Sequence, residues 1–137
     1  MFEERIIVSG GQNNNLNCLK SVESYDAVND DWTLMPDMMT SRHNHNLVAV
    51  KNKLFVIGFN SCEVFDSNSD KFVYLKNTFE NNFTHNKALS VGSKIFLLQY
   101  NTSHVDIYDV INEKWTRKYS EATSNLTDFS FVKLPVH

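Results

Sequence analysis

Three copies of one aromatic spacing limit what this chain can fold into. Each copy has an aromatic residue followed seven positions later by a second one: Tyr25 and Trp32, Phe65 and Phe72, Tyr108 and Trp115. An acidic residue stands two positions before every one of these aromatics: Glu23, Asp30, Glu63, Asp70, Asp106 and Glu113. The first aromatics, at positions 25, 65 and 108, lie 40 and then 43 residues apart. Periods of this size are typical of propeller blades or of helical arrays.

The hydrophobic pattern inside each copy favours strands over helices. Short runs of β-branched and aromatic residues at 6–8, 54–57 and 95–98 predict strands buried on both faces. The second and third runs follow apolar segments 47–50 and 88–91 across short polar turns, which predicts two hairpins. The alternating segment 22–25 predicts a half-buried strand, and the Asp- and Asn-rich turn at 26–31 leads to a fourth strand at Trp32. Each complete unit is therefore predicted to have four antiparallel strands, labelled a to d.

The repeated aromatics have a structural interpretation. Four-stranded sheets arranged around an axis pack face to face, so large side chains on strands c and d would fill the wedge between neighbouring blades. Each such ring buries about 150–250 Å². These residues are expected to belong to the core and not to a binding site.

The motifs together resemble the kelch repeat, in which a strand ends in Gly-Gly and is followed by Glu-x-Tyr-Asp, a Trp seven residues after the Tyr, and Met-Pro. Repeat one carries nearly all of it, in Ile6-Ile7-Val8-Ser9-Gly10-Gly11, Val22-Glu23-Ser24-Tyr25-Asp26, Trp32 and Met35-Pro36. The glycine pair becomes Gly58-Phe59 in repeat two and Gln99-Tyr100 in repeat three. Those glycines permit a tight backbone turn, so their loss is expected to reshape the loops of the second and third blades.

The resemblance implies an all-β fold, a partial kelch-type β-propeller of about three four-stranded antiparallel blades. We expect a single domain over 1–137, with repeat one at 1–40, repeat two at 41–84 and repeat three at 85–122. A terminal strand at 127–135 resembles an isolated strand a. We expect the first blade either to be completed by this C-terminal strand or to be left open. Because a kelch domain usually has about six blades, the chain is expected to be a gene fragment, a split product or a chain that needs a partner to close.

Composition and motifs exclude several classes of function. The formal net charge of −3, without clustered Lys and Arg, predicts no nucleic-acid partner, and no apolar run nears the roughly 18 residues of a membrane span. Cys18 and Cys62 are expected to be free, reduced thiols, which together with an N-terminus unlike a signal peptide indicates a cytoplasmic location. His43 and His45 lack an evident third ligand. With no nucleophile motif or phosphate-binding loop, we expect no metal, no cofactor and no enzymatic activity.

In kelch propellers the binding face is built from the loops that join strand b to c and strand d to a. The b–c loops are predicted at 12–20, 60–62 and 101–103, and the d–a loops at 37–41, 76–85 and 119–128. The expected protein-binding residues are Gln12, Asn14, Arg42, Asn44, Asn60 and Tyr100. Arg42 could grip a carboxylate through two hydrogen bonds. The alternative for Arg42 is a solvated loop residue.

The function that the resemblance implies is protein–protein interaction. The chain is similar to the substrate-recognition part of BTB–kelch adaptors of cullin-based ubiquitin ligases, which reach cullin through a BTB region that this sequence does not contain. One alternative is a kelch protein that binds actin or the cytoskeleton, and another is a non-functional fragment of a larger propeller. A copper-oxidase role would need Tyr, His and Cys ligands converging at the axis, and the sequence offers no such set.

Overall fold

A computed structural model describes residues 5–58, 61–76, 86–99 and 102–119, without the side chain of Asn86. Over these ranges the chain forms strands and no helix. The strands of the first sheet are β1 (Arg5–Ser9), β2 (Val22–Asp26) and β3 (Asp31–Met35). Those of the second are β4 (Asn46–Val50), β5 (Lys53–Gly58), β6 (Ser61–Asp66) and β7 (Lys71–Tyr74). Those of the third are β8 (Asn86–Val91), β9 (Lys94–Gln99), β10 (His104–Asp109) and β11 (Lys114–Tyr119).

Within each sheet, every strand pairs antiparallel with its neighbours in sequence, and the three orders are β1-β2-β3, β4-β5-β6-β7 and β8-β9-β10-β11. We call these sheets blades 1, 2 and 3. The first strands of blades 2 and 3 contact each other, and Ala88 N donates to Asn46 Oδ1 across that junction at 3.0 Å. The predicted all-β fold, a partial propeller of about three blades, is confirmed. The predicted terminal strand 127–135 lies outside the described residues, so blade 1 is described with three strands.

The strand register explains the seven-residue aromatic spacing. Tyr25 lies opposite Trp32, Phe65 opposite Phe72 and Tyr108 opposite Trp115 across the last two strands of each blade. The paired ring centroids are 5.0, 5.3 and 5.0 Å apart, within the range of favourable aromatic contacts. The spacing is therefore that of a hairpin whose two strands each contribute one ring to the same face of the blade.

The acidic residues of the repeat build the turn between those strands. Asp26 Oδ1 accepts hydrogen bonds from the backbone N–H groups of Val28 and Asn29, and Asn29 Nδ2 donates to Asp26 Oδ2. These bonds to the charged carboxylate lower the pKa of Asp26. The residue that closes each turn has a left-handed backbone, with φ of 54° at Asp30, 50° at Asp70 and 51° at Glu113. Asp tolerates this conformation better than most residues because its short side chain bonds locally.

The core lies between blades. Leu54, Val56, Phe65 and Phe72 of blade 2 pack in one cluster with residues of blade 1 and of the connection that follows it. Those neighbours are Ile7, Val22, Met35 and Met38. A second cluster joins the other face of blade 2 to Ile95, Leu97, Tyr108 and Trp115 of blade 3. Blades 2 and 3 therefore each bury their paired aromatics against the blade that precedes them.

Blade 1 departs from the predicted wedge packing. Trp32 is 51% exposed, whereas Phe72 and Trp115 at the same position of blades 2 and 3 are 1% and 8% exposed. The difference arises because, among the described residues, no blade precedes blade 1. The expectation that all three aromatic pairs are core residues is wrong for Trp32.

Replacing Phe72 with alanine tests the packing between blades. We expect Phe72→Ala to lower the free energy of unfolding by about 3–5 kcal/mol, because it leaves a cavity between blades 1 and 2. The control is Tyr74→Ala, since Tyr74 lies on the same strand but is exposed, and it should cost about 1 kcal/mol or less. Urea unfolding at one fixed protein concentration measures both, and equal losses would contradict the proposed core.

Candidate protein-binding face

Two loops lie together at one end of blades 1 and 2. Antiparallel connectivity puts every b–c and d–a loop at that end and every a–b and c–d turn at the opposite end. The described loops are 10–21, between β1 and β2, and 36–45, between β3 and β4. We call the surface formed by these two segments the loop face. Loops held on a rigid scaffold are where binding residues most often lie.

Backbone hydrogen bonds join the two loops. Gly11 N donates to Arg42 O at 2.9 Å, and Arg42 N donates to Leu19 O at 2.9 Å. Met38 N donates to Lys20 O at 2.8 Å. The two segments therefore form one structural unit, although more than 20 residues separate the donors from their acceptors in two of these bonds.

Glycine is required where strand ends approach segment 36–45. A Cβ at Gly10, whose φ is +58°, would lie 2.5 Å from Arg42 O and 2.8 Å from His45 Cε1. A Cβ at Gly58 would lie 3.0 Å from the Cα of His45. The segment is thus wedged between the ends of β1 and β5, and any side chain at these two positions would push it outward.

Arg42 anchors this segment from inside the protein. Its side chain is 1% exposed, and its Nη1 donates to Gly58 O at 2.6 Å and to Ser61 O at 3.1 Å. Its Nη2 donates to Ser61 Oγ at 2.9 Å and forms an ion pair with Glu63. The solvated-loop interpretation of Arg42 is therefore wrong. The guanidinium binds groups of its own chain, which leaves no exposed donor for a partner's carboxylate.

The Glu63 carboxylate is the second half of this anchor. Besides Arg42, it accepts hydrogen bonds from Met39 N at 2.7 Å and from Thr40 N at 3.0 Å. Glu63 is completely buried, so these three donors replace its hydration. The acidic residue of the repeat thus fixes the loop that enters its own blade.

The other blades satisfy this acidic position differently. In blade 3, Asp106 is paired with Arg117 on the neighbouring strand, with N–O distances of 2.7 and 3.0 Å, and this hydrogen bonding raises the pKa of Arg117. In blade 1, the equivalent Glu23 is exposed and has no hydrogen bond or ion pair with the residues that the structure describes. Among the described residues, Glu63 of blade 2 is the only one of these three acids that is bound by the loop that enters its blade.

Three of the predicted binding residues lie exposed on the loop face. Gln12 and Asn14 belong to the first loop and Asn44, with a left-handed φ of 51°, to the second. The structure therefore brings Gln12, Asn14 and Asn44 to one surface, whereas Arg42 is buried beneath it.

Two other predicted binding residues, Asn60 and Tyr100, lie outside the described residues. The b–c loop predicted at 60–62 is shorter than expected, because β6 begins at Ser61 and the side chain of Cys62 is buried.

Two exposed apolar residues of the loop face were not predicted. Leu16 is 75% exposed in the first loop and Met39 is 54% exposed in the second. Contiguous apolar patches rimmed by polar residues mark binding sites, and loops on a rigid scaffold often carry them, so these two side chains are the apolar candidates on the loop face. The sequence signal was an isolated leucine in the run Asn13-Asn14-Asn15-Leu16-Asn17.

A network around Asn13 holds Leu16 in place. Asn13 Oδ1 accepts from the backbone N–H groups of Asn15 and Asn17, both at 3.0 Å, and Gln12 Nε2 donates to Leu16 O at 3.1 Å. Leu16 itself has a left-handed φ of 62°, which is costly for a leucine. The turn is ordered by its own hydrogen bonds, so Leu16 is displayed at little further entropic cost on binding.

The cysteine and the two histidines of the loop face lie in two separate contacts. Cys18 Sγ lies 3.1 Å from His43 Nδ1, while His45 Nε2 lies 2.8 Å from Ser9 Oγ, so the two histidines have different neighbours. Burial raises the pKa of the Cys62 thiol to about 12, which keeps it protonated. In the described ranges no three His, Cys, Asp or Glu residues are placed to hold a metal ion. Nor do those ranges contain a helix with the length and apolar character needed to cross a membrane.

The sequence model of the Kelch motif family matches residues 2–39, which include β1 to β3 and most of the loop face. This is a kelch-repeat chain. A solved structure described as "Structure of YjhT" superposes with a TM-score of 0.71 over 90% of this chain and 51% of that one, at 13% identity, which supports the fold alone.

The chain is also similar to curated proteins that are named for kelch. The kelch-repeat chain is 30% identical over 117 residues to "Kelch-like protein 7" of Rattus norvegicus, covering 77% of this chain and 20% of the relative. It is 28% identical over 120 residues to "Kelch repeat and BTB domain-containing protein 8" of Danio rerio, covering 79% of this chain and 20% of the relative. The chain therefore spans about a fifth of the length of the relatives it matches.

Removing the Glu63 charge tests the anchor of the loop face. We expect Glu63→Gln to cost about 3–5 kcal/mol of unfolding free energy, because Arg42 would remain buried without its counter-ion. The matched control is Asp37→Asn, which removes the exposed Lys20–Asp37 ion pair of 3.3 Å in the same loop and should cost about 1 kcal/mol or less. Urea unfolding of both variants decides, and a loss for Glu63→Gln no larger than that of Asp37→Asn would contradict the anchor.

His45 should make stability depend on pH. Burial, with the nearby Arg42 charge as a second cause, lowers the pKa of His45 below its usual value of 6.5, and His45 Nδ1 is buried without a partner among the described residues. As pH falls below 6.5, the unfolded chain takes up a proton that the folded His45 resists, so this histidine's contribution to stability is present at neutral pH and is lost as pH drops toward its folded pKa. Unfolding of wild type and His45→Gln at pH 7.5, 6.5 and 5.5 should show the shallower decline in the variant. Parallel declines would contradict this assignment.

Proposed function

We propose that this kelch-repeat chain is a protein-recognition module whose contact surface is the loop face. The observation that carries the proposal is the pair of exposed apolar residues, Leu16 and Met39, on two loops that are hydrogen-bonded into one unit. Gln12, Asn14 and Asn44 give this surface a polar surround. Apolar anchors inside a polar rim are the usual anatomy of a protein interface.

A finer proposal concerns the assembly in which the module works. The relative from Danio rerio is named for kelch repeats together with a BTB domain, and the chain corresponds to about a fifth of that protein. We propose that the chain belongs to the substrate-recognition part of a BTB–kelch adaptor in the cytoplasm. The adaptor would bind cullin through a BTB region outside the 137 residues. Kelch repeats in related proteins and the exposed loop face support this role, whereas actin binding is the competing assignment.

Paired alanine variants test the proposed surface. Leu16→Ala with Met39→Ala should weaken a specific partner at least about tenfold, since interface anchors contribute more than 1 kcal/mol each. The control is Val28→Ala with Ile111→Ala, two exposed apolar residues on the c–d turns at the opposite end of the blades. The measurement is affinity capture from cell extract with quantification of each protein retained by wild type and by both variants.

The outcomes separate the candidate roles. A cullin-type ligase substrate should be retained by wild type and the control and lost from the loop-face variant. Co-sedimentation of the purified chain with filamentous actin, reduced in the same variant, would replace the adaptor assignment with the cytoskeletal one. Equal capture by all three proteins would contradict recognition through the loop face.

A further inference from the structure

Cys18 and His43 lie side by side where the two loops of the loop face meet. The Sγ atom of Cys18 is 3.1 Å from Nδ1 of His43, although 25 positions separate the two residues in sequence. Both residues are only partly buried, so the contact is not sealed inside the core. A thiol beside an imidazole is an arrangement that makes sulfur a nucleophile, since the ring nitrogen can accept the thiol proton. The contact is therefore a candidate site of covalent modification.

Backbone hydrogen bonds beside the contact hold the two residues together. Arg42 N donates to Leu19 O at 2.9 Å, and Leu19 N donates to Gly11 O at 2.9 Å. Leu19 directly follows Cys18, and Arg42 directly precedes His43. The fold therefore fixes the distance between the two backbones that carry the sulfur and the ring, which is how a protein positions a nucleophile and its base.

The second cysteine of the chain, Cys62, has the opposite environment. It lies on β6 and is 1% exposed, and burial raises the pKa of its thiol to about 12. A thiol that stays protonated and out of contact with solvent is a poor nucleophile. Cys62 is therefore an internal control for Cys18, since the two thiols of one chain differ in exposure and in having a base beside them.

Exposed amide side chains border the contact between Cys18 and His43. Gln12 lies opposite Cys18 in an isolated β-bridge, and Asn17 and Asn44 are the sequence neighbours of Cys18 and His43. A side-chain amide both donates and accepts hydrogen bonds, as the peptide groups of a ligand require. A small disulfide whose sulfur belongs to a peptide, as in glutathione, therefore matches the site better than a purely apolar reagent.

We propose that Cys18 is a reversible modification site for small peptide disulfides of the glutathione type, with His43 as the proton acceptor. In this exchange Cys18 Sγ attacks one sulfur of the disulfide, so that a new S–S bond forms and the original S–S bond breaks. His43 Nδ1 takes the thiol proton and passes it to the departing thiolate, and the products are a mixed disulfide at Cys18 and one free thiol. The Cys18 sulfur is oxidised and the departing sulfur is reduced. An excess of the free thiol reverses the step.

The adduct opens the junction between the two loops. Because Cys18 Sγ and His43 Nδ1 are in contact, a group attached to the sulfur needs space beside the ring, and one loop must move away from the other. The backbone bonds of Gly11 and Arg42, which join the loops next to this contact, are the first that such a movement would break. Modification of Cys18 would thus switch off binding by the loop face, a consequence that rests on the proposed function.

Mass spectrometry of the 137-residue chain treated with glutathione disulfide tests the site, with peptide mapping to locate each adduct. The folded chain should take one adduct, at Cys18, and Cys62 should react only when urea unfolds the chain. Cys18 should react at least about tenfold faster in the folded chain than in urea, because only the fold places His43 beside it. A Cys18 that reacts no faster when folded, or a folded chain in which both cysteines react equally fast, would overturn the proposal.

Histidine variants separate proton transfer from simple exposure of the thiol. His43→Gln should slow the reaction of Cys18 at least about tenfold, and His43→Ala should recover speed when imidazole is added, because free imidazole can replace the missing ring. The matched control is His45→Gln, since His45 contacts Ser9 and should leave the rate at that of wild type. Circular dichroism checks that each variant keeps its strand content. A wild-type rate in His43→Gln, or no recovery of His43→Ala with imidazole, would overturn the role of His43.

Hydrogen exchange and partner capture measure what the adduct does to the loop face. The amides of Gly11 and Arg42 should lose protection in the glutathione adduct and regain it after reduction. Capture of the partner that depends on Leu16 and Met39 should fall in the adduct, but not in Cys18→Ser treated with the same disulfide. An adduct with unchanged protection and capture would overturn the regulatory role. A chain that captures no partner even when unmodified would contradict the proposed function alone, because adduct formation and hydrogen exchange are measured on the purified chain.

Discussion

The buried ion pair between Arg42 and Glu63 is the interaction on which the arrangement of blades 1 and 2 depends. Arg42 comes from the loop that leaves blade 1, Glu63 comes from the third strand of blade 2, and neither has access to water. Two charges are stable there only because each is surrounded by further hydrogen bonds, from Met39 and Thr40 to the carboxylate and from the guanidinium to Gly58 and Ser61. The same contacts set where the first loop can lie, since Gly11 and Leu19 bond to the backbone of Arg42.

Much of the fold could be predicted from sequence because its causes are local. The spacing from Tyr25 to Trp32 follows from a hairpin with a four-residue turn, and Asp26 builds that turn with bonds to residues two and three positions away. Interactions of this range leave a pattern that a single repeat displays and two further copies repeat. What a repeat cannot show is whether a given blade has a neighbour on each face. Among the described residues no blade covers the outer face of blade 1, so Trp32, which was predicted to be buried, is half-exposed.

The site was harder to predict because its residues depend on partners far along the chain. Arg42 stands in a polar stretch and resembles a solvated residue, yet its partner Glu63 lies 21 positions away and meets it only after the blades pack. One signal was present, since an acidic residue inside an otherwise apolar strand needs a nearby cation. Gln12, Asn14 and Asn44 were expected at the surface and lie there, whereas Leu16 and Met39 lacked any motif.

Hydrogen exchange of the backbone amides in wild type and Glu63→Gln tests most directly whether this one carboxylate orders the loop face. The informative amides are Met39 and Thr40, which donate to Glu63, and Gly11, Leu19 and Arg42, which bond between or within the two loops. If the account is correct, all five lose protection together in the variant, while the amides of β9 and β10 in blade 3 keep theirs. Protection in segments 10–21 and 36–45 that is the same in both proteins would contradict it.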